Sequence, residues 1–351
     1  MRLTVPRLSR LPNPRPLLTQ NSRRCYAFQA SGGGPVFQVF NQRTKWLQKE
    51  RAASNPKQSR QADYLKDEIA TRVCERLLDI QRHFPRVLDL GANSCNIARA
   101  LTNESPDPSD PSTPPLSNKI SELVAAESSE SLLYRDADQA FNSQLAMSRH
   151  VLADEETIPF DAGSFDMVLS SMSMHWVNDL PGVLAQINSV LKPDCPFIGA
   201  MLGGDTLFEL RTSLQLAEQE RKGGLSPHVS PLADVKDVGG LLQRVGFKML
   251  TVDVEDIIVD YPDMFALMED LQAMGESNAI LGREMGPISR DVLVAGDAIY
   301  RQLHGNEDGT IPATFRIIHM IGWSEGADQP KPLPRGSGQV NLKDILETKK
   351  I

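Results

Sequence analysis

Apolar and polar positions along the chain follow two alternating rhythms. Short apolar runs at 86–90, 121–126, 148–153, 165–170 and 197–202 read as buried strands. Around them the apolar residues recur at helical spacing. Leu65, Ile69, Val73, Leu77 and Ile80 form one stripe on a helix over 64–80, and 180–191 reads as another amphipathic helix. Beyond 202 the pattern predicts helices over 207–220 and 232–245 and a long strand region over 247–261. Helices over 264–274 and 291–303 and a last strand over 313–323 complete it. Strands alternating with helices predict an α/β fold: a mostly parallel, doubly wound sheet with an antiparallel last strand and extra helices.

The rhythm stops in three places. Residues 103–118 are rich in Pro, Ser and Asp, a composition that builds no core, and read as a surface insertion before the second strand. Residues 326–351 are rich in Pro, Gly and charge and read as a mobile tail. The first 35 residues carry Arg2, Arg7, Arg10, Arg15, Arg23 and Arg24, and Glu50 is the first acidic residue of the chain. Arg-rich, Ser-containing and acid-free is the composition of a mitochondrial transit peptide. Arg24, Cys25 and Tyr26 before Ala27 look like a matrix-processing site, and Gly32, Gly33, Gly34 and Pro35 form a flexible joint. The rest, 36–325, is expected to be a single domain with a helical lead-in over 36–84.

Within that lead-in, 37–53 mixes Phe37, Phe40, Trp46 and Leu47 with Arg43, Lys45, Lys49 and Arg51. A basic amphipathic helix of this kind could cap a cleft or rest on an anionic membrane surface. A docked helix with solvated charges is the plainer expectation. The formal net charge of -8 argues against general nucleic-acid binding. No apolar run reaches the ~20 residues of a spanning helix. Cys25, Cys74, Cys95 and Cys195 show no metal-ligand spacing and are expected as free thiols in a reducing matrix.

The candidate chemistry gathers at the ends of the expected strands. Asp89 lies near the end of the first, and Gly91 opens a turn that leads into apolar positions at helical spacing. Strand, Gly turn and helix present a nucleotide-like ligand at the carboxyl edge of a sheet. Glu127 ends the second strand, where an acceptor-only carboxylate can engage two ribose hydroxyls. Asp154 and Glu155 follow the third strand, and Ser170 ends the fourth. His175 and Trp176 then leave it at the cleft mouth, an imidazole suited to base catalysis and an indole suited to packing on a cation. Gly204 and Asp205 follow the fifth strand. Asp205 could pair with a guanidinium or cap the next helix. His175 and Asp179 are four apart, as in part of a facial iron site, but no third ligand is evident and no metal is assigned.

The turn at Val87-Leu88-Asp89-Leu90-Gly91 resembles the first motif of class I S-adenosylmethionine-dependent methyltransferases, V-L-D-L-G-x-G-x-G, with Asn93 and Cys95 in place of the second and third Gly. Lys192-Pro193-Asp194 stands where those enzymes carry Lys-Pro-Gly. The resemblance implies a Rossmann-like fold and S-adenosylmethionine as cofactor. Asp89, Gly91, Asn93, Glu127, Asp154, Glu155 and Ser170 would be the cofactor residues, and His175, Trp176 and Asp205 the candidate catalytic residues.

A narrower likeness rests on 173–181, 198–207, 226–231, 267–278 and 306–309. Together they resemble the mitochondrial complex I assembly factor 5 family, also called arginine-hydroxylase. That resemblance implies a matrix protein peripheral to the inner membrane, working with other assembly factors. It would hydroxylate an arginine on an iron–sulfur subunit of the quinone-binding arm of NADH:ubiquinone oxidoreductase. Oxygen insertion at an unactivated carbon needs an oxidant-handling cofactor, and no motif specifies one. Two other readings use the same residues: a non-catalytic assembly chaperone, favoured by the loss of two Gly, and a methyltransferase acting on an acyl-carrier or small-molecule substrate.

Overall fold

A computed structural model describes residues 37–104, 113–282, 286–327 and 329–330. The transit-peptide expectation for 1–35, residues 105–112 of the insertion and most of the expected tail lie outside them. The helices are α1 (Gln42–Ala53), α2 (Pro56–Gln61), α3 (Tyr64–Glu75), α4 (Asn96–Leu101), α5 (Glu130–Leu133), α6 (Leu180–Val190), α7 (Phe208–Lys222), α8 (Val235–Arg244), α9 (Met264–Ala273) and α10 (Arg290–His304). The strands are β1 (Phe84–Leu90), β2 (Ile120–Glu127), β3 (Met147–Val151), β4 (Met167–Ser171), β5 (Pro196–Leu202), β6 (Lys248–Tyr261) and β7 (Ile311–Trp323).

Among the described residues the seven strands form one sheet in the order β3-β2-β1-β4-β5-β7-β6. The first five pair in parallel, and β7 runs antiparallel between β5 and β6. The sheet is the doubly wound one that the sequence pattern predicts, in the class I methyltransferase topology that the resemblance implies.

The two-residue period of the strands divides the core. Val87, Leu123, Leu169 and Ile198 face α3 and α7, where Leu65, Ile69, Val73 and Leu210 cover them. Leu88, Val124, Val168 and Phe197 face α6 and α8, against Val183, Leu184, Ile187, Val238 and Leu242. Both faces are buried, so the central strands read as continuous apolar runs rather than as alternation. The outer strand β6 is mostly exposed.

The parallel strands all end on one edge, which gathers Gly91, Glu127, Ser171 and Leu202 from four chain segments. Helix α1 lies over that edge. Asn41 starts it, its side-chain oxygen accepting the N–H of Thr44 at 3.0 Å. The strand-like stretch before it is pinned as well: Asn178 Oδ1 accepts the N–H groups of Val39 and Phe40, each at 2.8 Å. No helix among the described residues is long and apolar enough to cross a membrane.

Candidate active site

The turn after β1 keeps the geometry of a glycine turn without all of its glycines. Gly91, Asn93 and Cys95 have φ of 71°, 51° and 61°. Asn tolerates this left-handed region better than most residues, and here its side chain repays the strain. Asn93 Nδ2 donates to the carbonyls of Gly91 (3.0 Å) and Ser171 (3.1 Å), and Asn93 Oδ1 accepts from Lys66 Nζ at 3.0 Å. A Cβ on Gly91 would run into the hydroxyl of Ser173.

At the tip of β2, Glu127 is completely buried and fully engaged. Oε2 accepts the N–H of Asn93 at 3.0 Å, and Oε1 accepts those of Ser128 (2.8 Å) and Ser129 (3.2 Å). The Ser128 hydroxyl also donates to Oε1 at 3.0 Å, and α1 supplies a cation: Lys49 Nζ lies 2.7 Å from Glu127 and 2.5 Å from Glu155. Burial opposes the charge of Glu127, but Lys49 and these donors hold the carboxyl below its ordinary range. Burial likewise opposes the ammonium of Lys49, and the two carboxylates outweigh it. The space left between Gly91, Glu127, Glu155, Ser173 and Met174 is about 10 Å³, room for a single water.

The other cofactor candidates are spread around this point. Ser170 is buried and donates to the carbonyl of Leu90 at 2.8 Å. Asp154 turns outward and accepts the N–H of Glu156 at 2.9 Å. Asp89 is buried and neither carboxyl oxygen has a partner. Burial, with the nearby charge of Glu127, pushes its carboxyl up to about 8.

The donor set fits an adenosyl cofactor. Glu127 stands at the tip of the second strand, and an acidic turn and an orphaned carboxyl at the end of the first accompany it. In the closed arrangement, Lys49 of α1 holds the carboxylate that would meet the ribose.

A second cluster lies beside the first. Glu276 follows Gly275, whose φ of 75° ends α9 in a left-handed turn and brings the carboxylate under α1. Four side chains converge on it: Trp176 Nε1 at 2.6 Å, His175 Nε2 at 3.1 Å, Lys66 Nζ at 3.2 Å and Lys45 Nζ at 3.3 Å. Burial opposes the charge of Glu276, yet the two ammonium groups hold its carboxyl well below the usual range. The ionised Glu276 therefore takes the Nε2–H of His175, leaving Nδ1 bare and without a partner. Burial also lowers the pKa of His175, so the ring is neutral at pH 7. Trp176 is held from its other side by Phe40, edge-on at 5.3 Å.

This cluster borders a cavity of about 790 Å³. Its walls are α1 (Thr44, Leu47, Gln48, Arg51), the segment 226–232, the ends of α7 and α9, and His175, Trp176 and Glu276. Of the three candidate catalytic residues, the structure brings His175 and Trp176 together at the cavity. Asp205 is exposed at the sheet edge, where it pairs with Arg316, and α7 begins after Leu207 without a side-chain cap. Asp179 accepts the N–H of Gly182 as the cap of α6. Among the described residues, no group of three or more His, Cys, Asp or Glu is placed to hold a metal.

The lysines of α1 differ from the sequence expectation. The sequence leads one to expect solvated charges on the lead-in helix, but Lys45 and Lys49 are buried and Leu47 is 50% exposed. The available signal was their spacing of four with Gln48 between them, a polar stripe on one helical face. Glu276 lies in the 267–278 stretch that carries the narrower likeness, but no role was read for it, and Lys66 had no sequence signal of its own.

The methyltransferase domain family matches residues 109–198. The chain is 46% identical to the human protein named arginine-hydroxylase NDUFAF5, mitochondrial, over 88% of this chain and 83% of that one. It is 45% identical to the zebrafish protein of the same name, over 89% and 91% of the two chains. A malonyl-[acyl-carrier protein] O-methyltransferase of Laribacter hongkongensis is 32% identical over 80% of this chain and 88% of its own length. At such identity over nearly its whole length, the chain belongs to the mitochondrial arginine-hydroxylase NDUFAF5 family, built on the class I methyltransferase fold.

Proposed function

We propose that the chain is a mitochondrial protein-arginine hydroxylase. Its substrate is an arginine on an iron–sulfur subunit of the quinone-binding arm of complex I, met during assembly in the matrix, where the chain sits peripheral to the inner membrane with other assembly factors. The observation that carries this reading is the cavity of about 790 Å³ walled by a buried carboxylate, an indole and a neutral imidazole. A cavity of that size takes a long side chain, and carboxylate with indole is the pairing that selects a guanidinium. Relatives named arginine-hydroxylase support it. The Arg-rich, acid-free start of the sequence supports the mitochondrial address.

S-adenosylmethionine is the proposed cofactor, with Glu127 on the ribose, Glu155 beside it and Asp89 and Gly91 at the β1 turn. When bound it supplies an electrophilic methyl group, which takes no part in oxygen insertion; that step would break a C–H bond of the arginine and take its oxygen atom from dioxygen, with a two-electron reductant carrying the second oxygen atom to water. The chain's own residues position the substrate. Glu276 orients Trp176 and fixes His175 with Nδ1 free of a proton, and α1 excludes water from the edge.

The closed state of the cofactor side favours one alternative, a non-catalytic chaperone whose fold has lost its ligand. Peptide mass spectrometry separates the two. The candidate iron–sulfur subunit is compared between cells with the native protein, cells lacking it and cells carrying Glu127→Ala. Loss of one oxygen atom from the same arginine in both altered lines is the expected result. Assembly failing in the deletion with every peptide mass unchanged would establish the chaperone. Loss of a methylene-sized mass would establish methyl transfer.

A further inference from the structure

Lys45 sits in a cage that suits another cation. Its ammonium lies 3.4 Å from the centroid of the Trp176 ring, 2.7 Å from the carbonyl of Gly275 and 3.3 Å from Glu276. Indole face, carboxylate and carbonyl are the three components from which proteins build sites for organic cations. The cavity reaches the cage wall, since Trp176 and Glu276 belong to both.

We propose that this cage is the guanidinium site of the arginine substrate, and that Lys45 is a plug that the substrate displaces. The proposal rests on the arginine reading above and names the residues that recognise the side chain. A guanidinium matches the cage better than an ammonium does. It is flat and stacks on the indole, and its fork of N–H groups can engage the carboxylate and the carbonyl together.

The element that carries the plug is also suited to displacement. The buried face of α1 is Lys45, Gln48, Lys49, Ala52 and Ala53, so polar contacts dominate its docking. Exposing apolar surface has no substitute within a ligand's reach, whereas one cation can replace another at a carboxylate with little net change. Burial lowers Lys45 to about 7 against the pull of Glu276, so near neutral pH the plug is losing the charge that a guanidinium keeps.

The test is calorimetric titration of the folded chain with N-acetyl-arginine methylamide, using the uncharged citrulline analogue as control. Lys45→Met should tighten arginine binding about tenfold or more, the gain expected when a bound competitor is removed. Lys45→Arg, a plug of the preferred chemistry, should weaken it below the native level. The citrulline analogue should bind none of the three chains. A folded Lys45→Met chain with unchanged affinity, or equal binding of citrulline, would overturn the cage. The outcome is separable from the fate of the hydroxylase reading. If Lys45→Met binds arginine tightly while no subunit peptide loses oxygen in the deletion line, the cage stands and hydroxylation falls. If the oxygen is lost in the deletion line while both Lys45 variants bind like the native chain, hydroxylation stands and the cage falls.

Discussion

At the residue scale, the orphaned Asp89 makes a sharp demand on stability. Its carboxyl is raised from 3.8 to about 8 by burial, so the native chain holds a proton there that the unfolded chain has released. Between about pH 4 and pH 8 the unfolded state therefore binds fewer protons, and the contribution of Asp89 to stability falls as pH rises. An amide cannot ionise. Asp89→Asn should leave stability nearly unchanged near pH 4, and its advantage over the native chain should grow to a few kcal/mol by pH 8 and then level off. Denaturant midpoints across that range measure it. A difference that stays flat with pH would show that Asp89 is ionised in the folded protein. The same substitution should weaken cofactor binding, because a carboxyl kept without a partner at such cost is consistent with a ligand group that meets it. Asn93 teaches the converse. In sequence it is a damaged glycine motif; in the structure it adopts the glycine geometry and uses its amide to tie Lys66 to the turn. Sequence reports the lost glycine, whereas two of the three partners of its side chain, Lys66 and Ser171, come from segments distant in the chain.

At the element scale, α1 depends on the pair it makes with the β2 tip. Lys49→Met removes the only ammonium bonded to Glu127 and Glu155 among the described residues and leaves two carboxylates facing each other, one completely buried. Breaking a buried pair from one side costs about 3–5 kcal/mol. Glu127 is held below its ordinary range by Lys49, so in the native chain its contribution is present above about pH 4.5 and is lost as pH falls through the folded pKa. In the variant the Glu127 carboxyl takes up a proton more readily. The deficit should therefore be largest near pH 8 and shrink toward pH 5, as unfolding curves at the two pH values would show. Equal deficits at both would assign the loss to packing of the lysine stem. The elements themselves were readable to within a few residues: 121–126 became Ile120–Glu127, and 313–323 became Ile311–Trp323. Buried strands announce themselves because both faces are apolar. Helix α1 was legible as a helix within 37–53, but its buried face was not, because that face is polar and periodicity detects only apolar burial. Thus the cofactor side of the site was visible from strand ends and turn residues. The cage was hidden because Lys45, Lys66, His175 and Glu276 come from four separate segments.

At the scale of the whole molecule, one helix closes two sites. Lys45 fills the cage at Glu276, and Lys49, one turn further along α1, holds Glu127. A second connection runs beneath them: Glu127 accepts from Asn93, Asn93 accepts from Lys66, and Lys66 pairs with Glu276. A ligand that lifts α1 from either site exposes the other, so the two ligands should bind cooperatively. Coupling between binding free energies is reciprocal, whatever its size. S-adenosylhomocysteine at saturation should tighten binding of N-acetyl-arginine methylamide by a factor within about 5–150, and the arginine compound should tighten the nucleoside by the same factor. Calorimetry of each ligand with and without the other tests both directions. The double variant Lys45→Met, Lys49→Met should bind each ligand more tightly and show little coupling, since neither ligand then has a lysine to displace. Coupling that survives the double variant would place the linkage in the Asn93–Lys66 connection rather than in the helix. Independent binding in the native chain would mean that Lys45 and Lys49 leave their carboxylates separately, and that α1 does not move as one body.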